Sequence, residues 1–132
     1  MTGDELIQQF EDGAIPAATF HHADHVRLAF EYLCRYAALE ALQRFSAALQ
    51  RFAAAQRKAQ LYHETITWAY LLLIRERIAR TGSAQTWQEF AERNADLLVW
   101  KGGVLSTLYH QETLDSDLAR RTFVLPDRGT AA

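Results

Sequence analysis

His22 and His25 stand three residues apart, and His63-Glu64 opens a second cluster that also holds Thr65 and Thr67. Neutral imidazoles are good ligands for zinc, nickel or ferrous iron, and a pair at i and i+3 on one helix can share a metal with a third from a neighbour. His22, His25 and His63 are therefore the expected metal ligands, with a divalent transition metal (Zn, Ni or Fe) as the expected cofactor. Glu64 or Thr67 would then contact a metal-bound water or the substrate, the arrangement of metal-assisted hydrolysis of a small polar molecule. Three other readings stand beside this one. Histidines inside a bundle commonly donate to backbone carbonyls or a carboxylate, which would make them a structural hydrogen-bond network in a non-catalytic module that binds a small ligand or a protein. The free N–H groups of a helix start, helped by Thr65 or Thr67, would instead hold an anion. The same histidines would also serve as a pH-responsive switch.

Motifs that would narrow the chemistry are missing. There is no His-Glu-x-x-His, no Glu-x-x-His pair of the di-iron type, no Gly-x-Ser-x-Gly elbow and no phosphate-binding glycine loop. Among the aromatic residues, Tyr70 shares a helical line with His63 and Thr67 and is expected in a ligand pocket. Trp100 is expected there too, because Gly102-Gly103 follows it and would let a ligand approach the backbone or a lid move. The other tryptophans and phenylalanines are expected in the core. His110 is read as a surface residue at a helix end.

The elements that must position these side chains read as helices almost throughout. Asp4–Phe10, Phe20 to about Tyr36, a segment from Ala38, Tyr62–Arg80, a segment from Thr86 to about Asn94, and a last turn capped by Ser116 carry helical periodicity or start and stop signals. At about 100° per residue, Asp24, Arg27, Glu31 and Arg35 share one side, read as the solvent face, while His22 falls opposite with Val26, Ala29 and Leu33. In the same way His63, Thr67, Tyr70 and Ile74 line up. Glu64 points about 100° away, beside Trp68 and Leu71. The segment 62–80 is apolar on nearly every side and is expected to be central, its polar first turn meeting a pocket. "FVLPD" at 123–127 is biased to extended backbone by Pro126 and is expected to strap across the bundle. The fold class is all-α, a compact bundle of five to seven helices, with a single domain over 1–127 and a loose tail at 128–132.

Composition sets the bounds. A chain of 132 residues with net charge −2 and a pI near 6.2 offers no basic face for nucleic acid. The apolar run Trp68–Ile74 is far short of the roughly 20 residues that span a bilayer. The lone cysteine, Cys34, precludes an internal disulfide and is read as a buried, inert thiol. The start "MTGDELIQQFEDG" lacks a secretory pattern, so a reducing, cytoplasmic setting is expected. Leu6, Ile7 and Phe10 form an apolar face that suits either a homodimer or packing onto the chain's own bundle.

"FHHADHVRLAFEYL", "YHETITWAY" and "FVLPD" together resemble a family of small bacterial all-helical proteins to which no reaction is assigned. The resemblance runs from about Phe20 to Asp127, and Tyr-His-Glu-Thr-Ile-Thr is its most specific piece. It implies that His22, His25, His63, Glu64 and Thr67 belong to a site and implies nothing about chemistry.

Overall fold

The computed structural model describes residues 1–82 and 84–129. Among them are seven α-helices and no strand: α1 (Gly3–Glu11), α2 (His22–Arg35), α3 (Ala38–Ala55), α4 (Glu64–Thr81), α5 (Trp87–Arg93), α6 (Gln111–Leu114) and α7 (Asp117–Arg121). Single 3₁₀ turns fill the connections at Ala17–Thr19, Ala59–Leu61, Ala95–Leu98 and Val104–Thr107. No helix is long and apolar enough to cross a membrane among the described residues.

Local chemistry sets the helix ends. Thr86 and Glu89 form the reciprocal capping box that starts α5, and Ser116 accepts from the Ala119 amide to start α7. Gly82, at φ 110°, ends α4 in a conformation that a side chain would strain. Thr2 accepts from the Glu5 amide at the start of α1.

Helix α4 packs against α2, α3, α5 and α7, so the apolar segment is central as expected. Leu71 and Ile74 are fully buried, whereas Leu72 on the opposite flank is 43% exposed. Helix α2 is the other core element and is covered by α1, α3 and α5 as well as α4. Its Leu28 and Tyr32 are fully buried, and the Tyr32 hydroxyl donates to Glu11 at 2.5 Å.

The charged face of α2 departs from expectation. Helix α1 lies across it, and Glu31 is only 7% exposed. A buried carboxylate is unfavourable by several kcal/mol unless it is paired, and Glu31 has two partners on its own helix, Arg27 at 3.4 Å and Arg35 at 2.9 Å. The same arginines reach α1 and the residues before it: Arg35 donates to Asp4 at 2.6 Å and Arg27 to the Met1 carbonyl. Leu6, Ile7 and Phe10 are buried beneath the same helix, so the apolar face that suited a dimer is occupied within the chain. Periodicity identified the polar face correctly but could not show that a short helix would cover it.

Two smaller corrections concern burial. Cys34 is exposed rather than buried, with its thiol pushed up by partial burial and by Glu31. Leu39, in the first turn of α3, is 79% exposed, while Ala41 and Leu42 beside it are buried.

The C-terminal strap forms as expected and is pinned from two sides. The fully buried Thr65 hydroxyl donates to the Thr122 carbonyl at 2.8 Å and accepts from the Val124 amide at 3.0 Å. Phe123 stacks on Trp68, and Tyr109 donates to the Val124 carbonyl. Beyond it the amides of Asp127 and Arg128 reach the Leu108 carbonyl, and Thr113 donates to Asp127. Of the tail expected at 128–132, Arg128 thus belongs to the strap, and 130–132 lie outside the described residues.

Candidate functional site

A cavity of about 930 Å³ lies between α2, α3 and the first turns of α4, closed on one side by the 100–106 turn and on another by α6 and α7. His22, His25, His63, Thr67, Tyr70 and Trp100 all line it. Glu64 does not.

His63 is the N-cap of α4, and both of its ring nitrogens are engaged. A carbonyl only accepts and an amide only donates, so the bonds assign the tautomer: Nε2–H donates to the Leu114 carbonyl at 2.7 Å and Nδ1 accepts from the Ile66 amide at 3.1 Å. A second proton has no room on this ring without loss of the cap. Burial accordingly holds the imidazole below its ordinary range, partly opposed by the Leu114 bond.

His22 is held from a different direction. Its Nε2–H donates to the Leu97 carbonyl at 2.9 Å, which leaves Nδ1 as an acceptor. The carbonyl is fixed by a fork of Arg77 onto Asp96, at 2.9 and 2.7 Å, with a third bond from Arg77 to Asn94. The ring meets Tyr70 edge-on at 4.9 Å and lies 5.1 Å from Trp100. Burial lowers the pKa of His22.

His25 packs on Phe20, with ring centroids 4.3 Å apart, and Phe20 continues into Phe10 and Phe52. Neither of its ring nitrogens has a hydrogen-bond partner among the described residues, and the residue lines the cavity. Burial, with His22 nearby, depresses its pKa to about 4, against a smaller opposing pull from Asp24. All three imidazoles are thus neutral at pH 7.

The remaining expected residues divide. Thr67 is buried, and its hydroxyl donates back to the His63 carbonyl at 2.8 Å, reinforcing the first turn. Tyr70 is 7% exposed, yet its hydroxyl has no partner among the described residues, and burial together with Asp96 pushes the phenol up to about 12. Trp100 is 54% exposed at the rim of the cavity. Glu64 borders a separate, smaller cleft with Tyr62, Asp117 and Arg120, where its Oε1 accepts from the Tyr62 hydroxyl at 2.7 Å and from the Trp68 indole at 2.9 Å. The turn of about 100° between successive helical residues separates it from His63. His21 and His110 stand exposed at the starts of α2 and α6.

Among the described residues no group of three or more His, Cys, Asp or Glu side chains is placed to hold a metal ion. At His63 the one N–H and the one lone pair of the neutral ring both serve the fold. Residues that the spacing of histidines did not suggest complete the site: Phe45, Leu49 and Leu105 form an apolar wall, and Lys58, Lys101 and Arg120 bring positive charge. One signal for the last group was present, since Lys58 and Lys101 are the only lysines in the chain.

No family model matches the chain, and neither a curated protein nor a solved structure does. The class of molecule is therefore defined by fold and site alone: an all-α bundle with a large cavity at the start of its central helix.

Proposed function

We propose that this protein is a non-catalytic helical module that binds a small molecule in the His22–His63 cavity. The observation that carries the reading is the division of roles among the polar groups. His22 and His63 are tied by their Nε2–H groups to the carbonyls of Leu97 and Leu114 and hold the walls in place. His22, His25 and Tyr70 line the cavity, and the Tyr70 hydroxyl, both nitrogens of His25 and Nδ1 of His22 have no hydrogen-bond partner among the described residues. A few convergent polar groups in a largely apolar cavity are the ordinary form of a small-ligand site. Titration with the uncharged apolar dye Nile red tests it. The dye is expected to bind with one-to-one stoichiometry, and Ala53→Phe, which fills the cavity from α3, is expected to abolish binding while the fold is kept. Dye binding that ignores the filled cavity removes the proposal, as does absence of binding by both the dye and the octyl probes octanoate, 1-octanol and octyltrimethylammonium.

Metal-dependent chemistry is the second reading, favoured by one observation: the unpartnered nitrogens of His22 and His25 lie on the same side of α2. With His63 engaged, the site would hold a metal through two protein ligands and water. Metal analysis of untagged protein separates the readings. Stoichiometric metal that is lost in His25→Ala favours the second; metal-free protein whose melting ignores chelators favours the first.

A further inference from the structure

We infer that the ligand of this cavity is a small amphipathic anion, an apolar body carrying one carboxylate, held by Lys58, Lys101 and Arg120 at the rim. The inference rests on the binding reading above and adds the chemical class. Its basis is where the chain has placed its charge. The protein carries a net charge of −2, yet three cationic side chains and a single carboxylate, Asp115, line the cavity. Both of the chain's lysines are among the three.

Elsewhere in the fold Arg27, Arg35, Arg44, Arg77, Arg80 and Arg93 each pair with a carboxylate, while Arg51, Arg57, Arg75, Arg121 and Arg128 form no such pair among the described residues and do not line this cavity. Lys58, Lys101 and Arg120 have no carboxylate within 4.0 Å among the described residues, although Arg120 also borders the small cleft. The cavity holds about 930 Å³, and an anion within about 10 Å of a rim cation, one Debye length at 0.1 M salt, feels its charge. Low-dielectric walls strengthen that field.

The walls decide the rest of the ligand. Phe45, Leu49, Phe52 and Leu105 offer only apolar contact, which favours a hydrocarbon or aromatic body. Tyr70 lines the same cavity, and its hydroxyl is a donor without a partner among the described residues. A free inorganic anion would leave the wall unused. A neutral hydrocarbon would leave the cations and the phenol unused.

Calorimetric titration of the whole chain with octanoate, 1-octanol and octyltrimethylammonium compares one tail with three heads. Octanoate is expected to bind about tenfold more tightly than octanol at low ionic strength, and the ammonium more weakly than either. The advantage of octanoate should shrink as salt rises from about 20 to about 300 mM, and it should vanish in the Lys58→Gln/Lys101→Gln variant while octanol binding is unchanged. Both lysines are exposed, so the variant keeps the fold. Equal affinity for octanoate and octanol, or preference for the ammonium, overturns the anionic class. So does Nile red binding with no response to any octyl probe, which leaves the pocket standing. If neither Nile red nor the octyl series binds, the pocket reading falls and this inference falls with it.

Discussion

The imidazole of His63 donates to the carbonyl of Leu114, 51 residues further along the chain, at 2.7 Å. With Nδ1 capping α4 through the Ile66 amide, one side chain starts the central helix and fastens it to α6. One of the three histidines expected as metal ligands thus has both ring nitrogens engaged within the fold.

Replacing His63 should therefore cost stability before it costs anything else. His63→Ala removes the cap and the tertiary bond and is expected to destabilise the chain by about 2 kcal/mol, read as a lower urea midpoint with unchanged slope. His63→Asn should recover about half, since asparagine caps well but is too short to reach Leu114. An alanine variant as stable as the parent would show that these bonds contribute nothing.

The depressed histidines predict the pH dependence. For an imidazole held below its ordinary 6.5, the folded chain binds fewer protons than the unfolded one, so stability rises with pH between the folded and unfolded values. For His25 the contribution is complete above about pH 6.5 and is lost as pH falls towards about 4. The loss amounts to roughly 2–3 kcal/mol at about 1.4 kcal/mol per pH unit. His22 and His63 act in the same direction. Urea titrations between pH 7.5 and 4.5 should show this slope, and His25→Leu should flatten it. Parallel slopes for the two proteins would contradict the assignment.

Thr65 is the test of the strap. Thr65→Val keeps the shape but leaves the Thr122 carbonyl and the Val124 amide without their partner, at an expected cost of about 2 kcal/mol. Thr65→Ser restores the hydroxyl and should recover most of it. Hydrogen exchange at Val124 should accelerate in the valine variant alone. Slow exchange there would mean the strap is held by other contacts.

Docking of α1 depends on close approach. A Cβ at Gly3 would overlap the Glu31 carboxylate and the end of Arg35. Gly3→Ala should displace that ion pair and weaken the chain by about 1 kcal/mol, with earlier proteolysis near residues 12–16 as α1 loosens. Glu31→Ala should cost more, about 2–3 kcal/mol, because Arg27 and Arg35 lose their shared buried partner. Limited proteolysis matching the parent would refute both.

Much of the fold was legible because its signals are local. The 3.6-residue period of α3, the Thr86–Glu89 box, the Ser116 cap and the bias of Pro126 each depend on neighbours a few residues apart. The inward turn of His22, His25, His63, Thr67 and Tyr70 was legible for the same reason: one angle per residue places a side chain on a face. What each group would bond to was not. Leu97 and Leu114 carry no mark as acceptors, since every residue has a carbonyl and only the packed chain brings one within 3 Å of an imidazole.

Periodicity alone thus determined that this chain is a helical bundle and that one end of its central helix carries polar groups turned towards the core. Packing decided the rest: that α1 hides the charged face of α2, that Glu64 serves the small cleft and not the large cavity, and that the chain's two lysines, 43 positions apart, border one space. The physical reason is range. Backbone dihedrals and helical angle act over a single turn, whereas enclosure and the meeting of charges depend on segments that are neighbours only after the chain has folded.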